Sequence, residues 1–243
     1  MLRKFRESIK FKILRPMLLK LGDWMGKYST VGDHAVFDNQ QFKWTVDLER
    51  NWTAIRKELE TVLSFGEALP SLQEIQKEQK VLNKDNNWKT FFLYGFGEKS
   101  QMDCRVCPVT TSLLEKIPGL KTAFFSILSP RKHTPAHRGV YKGLIRSHLG
   151  LIVPGEPGQC VMRIENQFIN WQEGKAIVFD DTYEHEVWNN TNEVRAILLL
   201  DVIRPFKFPL SYINKSIIRL MRNSSFVRDA LRNQKAWEAK FFR

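Results

Sequence analysis

Four of the five histidines in this 243-residue chain fall between positions 133 and 185: His133, His137, His148 and His185. Imidazole is the commonest side-chain metal ligand and a proton carrier near neutral pH, so such a cluster is a candidate reaction centre. His137 ends a polar, turn-rich stretch beginning at Ser129, which reads poorly as a core strand. His185 stands just ahead of Glu186-Val187-Trp188, and Arg195 follows ten residues later at the head of the apolar run Ala196–Val202. A guanidinium entering such a strand is costly to bury unless it meets an anion. Two histidines from separate strands, with an arginine one strand further on, suit a ferrous site that also holds an anionic cosubstrate such as 2-oxoglutarate. The carboxylate that usually completes such a site lies two residues after the first histidine, on the same strand face. Here that position is Gly139.

The elements that must position these residues are short strands. Apolar, β-branched or aromatic runs at Phe91–Phe96, Ala123–Leu128, Leu144–Val153, Cys160–Ile164, Ala176–Phe179, Glu186–Trp188 and Val194–Ile203 alternate with turn signals such as Pro154-Gly155, Pro157-Gly158 and Glu173-Gly174. That pattern predicts a sandwich, jelly roll or barrel. Within the third run, Arg146 and His148 share one face, so both can point into the interior. Upstream, Asp47 reads as the N-cap of a helix whose apolar face is Leu48, Trp52, Ile55, Leu59 and Val62. Residues 66–90 read as a long polar connection with one short helix, and Thr111–Ile117 as a second short helix stopped by Pro118-Gly119. The fold class is therefore α+β and mainly β, with a helical N-terminal third packed on the strands.

Several ordered segments resemble the aspartyl/asparaginyl β-hydroxylase family of iron(II)- and 2-oxoglutarate-dependent dioxygenases. They are Ser129-Pro130, His137-Arg138-Gly139, Arg146 to Leu151, Trp171 to Gly174, Phe179-Asp180-Asp181, Glu184 to Trp188, and Arg195 with Asp201 to Pro205. The resemblance covers about residues 120–205 and implies a double-stranded β-helix core. It implies that His137 and His185 bind the iron, with water completing the shell in place of a carboxylate at Gly139. It also implies that Arg195, helped by Ser126, holds the distal carboxylate of 2-oxoglutarate, and that Arg146 and His148 lie near its iron-binding end. The implied reaction consumes O2 and 2-oxoglutarate, releases succinate and carbon dioxide, and hydroxylates an unactivated C–H bond, with ascorbate as a helpful reductant. An iron halogenase also lacks this carboxylate, and a catalytically dead relative would keep the fold alone; the occupied ligand positions argue against the second.

For the substrate, Arg204 to Asn214 and His137-Arg138 with Tyr141-Lys142-Gly143 resemble bacterial lipid A hydroxylases, which act on acyl chains at the inner membrane. The chain departs from that branch at Gly139, where Asp is expected. The reading therefore favours an acyl chain of a membrane lipid of the lipid A or aminolipid type. The alternative is β-hydroxylation of aspartyl or asparaginyl residues, or of a free or carrier-bound amino acid.

Charge supports the lipid side. The chain carries 38 Lys and Arg against 26 Asp and Glu, a net +12. Residues 1–28 hold eight basic and two acidic residues and residues 205–243 hold nine and two, which leaves 29–204 near neutral. The first segment spaces Leu2, Phe5, Ile9 and Ile13, then Leu14, Leu18, Leu21 and Met25, as a basic amphipathic helix kinked at Pro16. The last interleaves Ile213, Ile217, Leu220, Phe226, Leu231, Trp237 and Phe241 with Lys and Arg. Each basic residue near an anionic surface contributes about 1 kcal/mol, so both ends are candidates for a membrane surface; solvated helices flanking the body are the other reading. The expected organisation is a basic N-terminal segment (1–30), a dioxygenase domain (31–205, strands from about 91) and a basic helical tail (206–243). A non-catalytic basic protein that binds membrane or nucleic acid is the reading from another class, but no nucleic-acid motif is present and none is expected as partner. No stretch reads as a membrane span or cleaved signal, and Cys104, Cys107 and Cys160 read as free thiols. The expected location is cytoplasmic, on the inner face of the membrane.

Overall fold

The computed structural model describes residues 16–77 and 85–242. In chain order, a helix over 16–26 (α1) leads to β1 (Val36–Phe37), α2 (Trp44–Arg50), α3 (Trp52–Leu63) and α4 (Leu72–Ile75). Then follow β2 (Trp88–Gly95), β3 (Glu98–Lys99), α5 (Gln101–Val106), α6 (Pro108–Leu114), β4 (Leu120–Leu128), β5 (His133–His137) and β6 (Leu144–Ile152). The rest are β7 (Cys160–Ile164), β8 (Gln167–Asn170), β9 (Ala176–Phe179), β10 (His185–Asn189), β11 (Arg195–Ile203), α7 (Leu210–Arg222) and α8 (Ser225–Phe241).

Two antiparallel sheets form the body. One has the order β1-β9-β6-β11-β4-β2-β3 and the other β5-β10-β7-β8. Period-two alternation on the central strand β11 explains why there are two layers of core. Ala196, Leu198, Leu200 and Val202 face the helices, where they meet Ile55, Leu59 and Val62 of α3 with Phe91 and Leu93 of β2. Ile197 and Leu199 face the second sheet, where they meet Met162, Ile164, Trp171, Phe179 and Val187. Each such buried side chain contributes about 1.5–3 kcal/mol. This is the jelly-roll sandwich, with helices on one side, that the strand pattern predicts.

Some local readings are corrected. Asp47 is not an N-cap but lies inside α2, and Asn51 (φ −106°, ψ 12°) breaks the expected single helix into two. The two pieces still bury Leu48, Ile55, Leu59 and Val62. The connection over 66–90 contains α4, fixed by a capping box between Ser71 and Glu74, and ends earlier than expected because β2 starts at Trp88. The second short helix is Pro108–Leu114, with proline at its start. The stretch containing His137 does form a strand, but at an edge, pairing only with β10. The amphipathic reading of residues 1–15 falls outside the described residues.

Candidate active site

The same alternation that builds the core carries the site. On β11, Arg195 and Asp201 share the inner face with Ile197 and Leu199. On β6, opposite, Arg146 pairs with Asp201 in register and His148 with Leu199. On β4, Ser126 lies across from Ile197. The second sheet brings the two histidines together: His137 on β5 is the direct cross-strand partner of His185 on β10. Their rings stand 4.1 Å apart between centroids.

A backbone carbonyl fixes the tautomer of each ring. Nδ1 of His137 bonds to the Pro135 carbonyl at 2.8 Å, and Nδ1 of His185 to the Tyr183 carbonyl at 3.0 Å. A carbonyl only accepts, so each Nδ1 carries the proton and each Nε2 keeps its lone pair. Burial pushes both imidazoles below their ordinary pKa, His185 to about 3, so both are neutral at pH 7 as a ligand must be. Among the described residues, no group of three or more His, Cys, Asp or Glu stands close enough to hold a metal.

Gly139 explains the third position. Its N–H donates to the Asp181 carbonyl at 2.7 Å, and a Cβ built on it would collide with the Asp181 carboxylate. A carboxylate from the turn between β9 and β10 thus occupies the space that a side chain at 139 would need. Asp181 is tied to Nη1 of Arg146 at 3.1 Å, and Arg146 is held bidentately by Asp201, with Nε to Oδ1 at 2.8 Å and Nη2 to Oδ2 at 3.2 Å. Burial raises the Asp181 carboxyl to about 6 against the pull of Arg146. The Asp201 and Asp181 carboxylates in turn hold Arg146 firmly charged.

Deeper in the sandwich lies a group of polar atoms with no protein partner among the described residues. They are Nε and Nη1 of Arg195, both ring nitrogens of His148 and Nε1 of Trp171. Arg195 is 2% exposed, lies over the Trp171 ring at 4.4 Å and is lowered to about 10 by burial alone. His148 is wedged between Trp171 and Phe179 (centroids 5.9 and 4.9 Å), and burial, with Arg146 and Arg195 nearby, keeps it neutral. Ser126 accepts from Trp88 Nε1 at 3.0 Å. Buried donors without partners cost about 1–3 kcal/mol each, so such an array is built for a ligand that supplies the acceptors. A buried cation at one end, two neutral histidines at the other and a flat apolar wall between them fit a small dicarboxylate bound beside a metal.

Every residue expected at the site is on this inner face. His133 stands apart, bonded to Glu186 at 2.7 Å and stacked on Trp188. Asp181, Asp201 and Trp171 carry roles that residue spacing did not assign. Asp201 had a legible signal, because it shares the parity of Arg195 on one strand.

The sequence profile described as aspartyl/asparaginyl beta-hydroxylase matches residues 49–205, more than half of the chain. The chain belongs to that family. A relative from Rhizobium tropici, an ornithine lipid ester-linked acyl 2-hydroxylase, is 46% identical over 216 residues, covering 89% of this chain and 77% of that one. The human aspartyl/asparaginyl beta-hydroxylase is 32% identical over 205 residues, 76% of this chain and 26% of its own length. Among solved structures, an oxidoreductase of the 2OG-Fe(II) oxygenase family from Burkholderia pseudomallei is similar at TM-score 0.39 and 11% identity, over 49% of this chain and 66% of its own. Family membership makes this chain a hydroxylase.

Proposed function

We propose that this hydroxylase depends on iron(II) and 2-oxoglutarate and acts on an acyl chain of a membrane aminolipid. The observation that carries the cofactor reading is the array of unpartnered buried donors around Arg195, in a fold that also pairs His137 with His185 across two strands. Iron(II) with bound 2-oxoglutarate and O2 supplies the oxidising power that puts oxygen into the C–H bond. The chain does the rest. His137 and His185 present neutral lone pairs whose direction is fixed by the Pro135 and Tyr183 carbonyls. Arg195 offers its buried, unpartnered guanidinium N–H groups to the far carboxylate, with Ser126 close by and Trp171 excluding water from the guanidinium face. His148 stays neutral between the two ends. Asp201 holds Arg146, and Arg146 holds Asp181 beside Gly139, so the carboxylate nearest the metal ligands is anchored rather than mobile.

The substrate reading is supported by the 46% relative that acts on an acyl chain, which spans nearly all of this chain. A lipid substrate requires contact with a membrane surface, and the basic ends supply a candidate. β-Hydroxylation of aspartyl or asparaginyl side chains, the activity in the human relative's name, is the second reading. The test incubates purified protein with iron(II), ascorbate, 2-oxoglutarate and either ornithine-lipid vesicles or Asp/Asn peptides. Succinate formation with a one-oxygen mass gain on the lipid acyl chain is expected. Gain on the peptide alone would replace the lipid reading. No succinate with either substrate, together with unchanged iron affinity in His137→Ala, would overturn the proposal.

A further inference from the structure

By sequence, both ends of the chain carry apolar residues among basic ones, but the structure uses the two ends differently. On α8 the apolar side chains are spent inside the fold. Val227 and Ala230 are buried, and Trp237 stacks on Phe241 and donates Nε1 to the Ala68 carbonyl at 2.9 Å. Phe241 also meets Phe65 at 4.8 Å. No large apolar side chain of α8 is among the exposed ones.

α1 is the opposite case. Its inner side packs tightly: Met25 is buried, and a Cβ at Gly22 or Gly26 would press on Lys142. Its outer side carries Met17, Leu21 and Trp24, all exposed and spaced i, i+4 and i+7, and exposed Tyr28 in the turn that follows extends this stripe, its ring 5.4 Å from that of Trp24. A second exposed patch lies next to it. Thr30 N–H donates to the Pro205 carbonyl at 3.1 Å and Ser29 bridges to Phe206, which brings the chain entering α7 beside the end of α1. That chain shows Phe208 at 80% and Tyr212 at 68% exposure, with rings 5.9 Å apart. Isolated exposed apolar residues need no explanation, but six on two adjoining segments do. Around them Lys20, Lys27, Lys207 and Lys215 are exposed, and none forms an ion pair with another described residue. Aromatic and aliphatic residues in a stripe, rimmed by exposed lysines, have the composition of a helix lying in the interface of an anionic bilayer.

The face also borders the active site's connections. Tyr141, four residues beyond His137, donates its hydroxyl to Oδ1 of Asn214 on α7 at 2.9 Å and touches Sδ of Met25 on α1 at 3.6 Å. The loop leaving the metal-ligand strand is therefore clamped between the two segments that carry the exposed side chains.

We infer that the α1 stripe together with Phe208 and Tyr212 is the surface that seats this enzyme on an anionic phospholipid bilayer, and that α8 is not. The inference rests on the lipid-substrate reading for why the site should meet a bilayer, and its test can fail independently. Full-length protein is sedimented with phosphatidylglycerol/phosphatidylcholine vesicles and with phosphatidylcholine alone. Binding to the anionic vesicles is expected to fall at least tenfold in the variant Leu21→Ser/Trp24→Ser/Phe208→Ser/Tyr212→Ser and to stay within twofold in Arg228→Glu/Arg232→Glu. Vesicles with brominated acyl chains are expected to quench wild-type tryptophan fluorescence and to lose most of that quenching in Trp24→Phe, a conservative change that keeps the fold testable if the quadruple variant misfolds. Equal binding by the face variant, or quenching that does not depend on Trp24, overturns the inference. So does a wild-type dimer that the face variant converts to monomer, which would give the stripe to a second copy. Vesicle binding without any lipid oxidation would leave the face standing and remove the substrate reading instead.

Discussion

The carboxylate of Asp181 lies where a side chain on Gly139 would have to be. The two residues come from different strand ends, and a backbone bond from Gly139 N–H to the Asp181 carbonyl holds them together. The glycine is thus not simply a lost ligand, because its absent side chain makes room for a carboxylate that Arg146 anchors. Gly139→Asp should therefore not build a better metal site. It forces two carboxylates into one space, an overpacking cost of about 1–3 kcal/mol before like-charge repulsion. Iron affinity and 2-oxoglutarate turnover are expected to fall at least about tenfold, and the second change Asp181→Gly is expected to recover iron affinity. Isothermal titration of both variants with iron(II) under anaerobic conditions checks this. A tighter site in Gly139→Asp alone would refute the steric reading.

Arg195 is a buried cation whose Nε and Nη1 have no partner among the described residues. Its replacement should separate binding from stability. Arg195→Met removes two charge-assisted hydrogen bonds to the cosubstrate, about 3 kcal/mol or more, so the KM for 2-oxoglutarate should rise about a hundredfold. The melting temperature should hold or increase, because an uncompensated buried charge is removed. In wild type, 2-oxoglutarate with metal should raise the melting temperature by linkage, and in Arg195→Met that rise should vanish. A melting temperature that falls steeply in the variant without ligand would show that Arg195 is structural.

The strands most legible in the sequence are short, mainly apolar runs set between turn signals. Cys160–Ile164 and Ala176–Phe179 match β7 and β9 residue for residue, although Arg163 interrupts the first on its outer face. β5 was illegible for the opposite reason. An edge strand with one partner tolerates polar residues and Pro135, so its composition looks like a loop. α5 has six residues and no room for a helical period; it depends on the Ser100 cap and on Cys104 packing against β2. The histidine pair could be proposed as a metal site from residue types and a family resemblance, but its geometry needed the His137–His185 register. The role of Asp181 depends on a through-space neighbour at Gly139, and the α8 aromatics, which share the basic, apolar composition of a membrane surface, pack instead on Phe65 and Phe91.

Arg204 and Asp180 form a fully buried ion pair at 2.6 Å, beneath the loop that connects β5 to β6. Arg204 also donates to the Gly32 carbonyl at 2.7 Å and the Lys142 carbonyl at 3.3 Å, while Asp180 accepts from the Thr182 backbone and hydroxyl. Removing one partner strands the other charge in the interior. Arg204→Met is therefore expected to cost about 3–5 kcal/mol. For a chain of this size that is a fall of about 10 °C in melting temperature, read by differential scanning calorimetry. A fall of only a degree or two would mean that Lys142, 4.0 Å from the same carboxylate, takes over the pairing.

Asp103 on α5 gives the protein a stability slope in the neutral range. It is fully buried and accepts from Nε2 of Gln234 on α8 at 2.7 Å, while its own Oδ1 and the Oε1 of Gln234 lack partners among the described residues. A proton on Asp103 gives the pair a donor for one of these oxygens, which the ionised carboxylate lacks. Burial, with the Glu238 charge nearby, raises the carboxyl to about 8. The folded protein keeps this proton up to about pH 8, whereas the unfolded chain releases it near pH 4. More protons on the folded state mean that stability falls as pH rises between those values, by about 1.4 kcal/mol per pH unit for this one group, and levels off above. Asp103→Asn makes the same paired geometry without a titrating proton. Denaturant midpoints from pH 5 to pH 9 should decline less steeply in Asp103→Asn than in wild type, and the variant should be the more stable of the two at pH 9. Parallel curves would show that Asp103 is ionised in the fold and that α8 is held by other contacts.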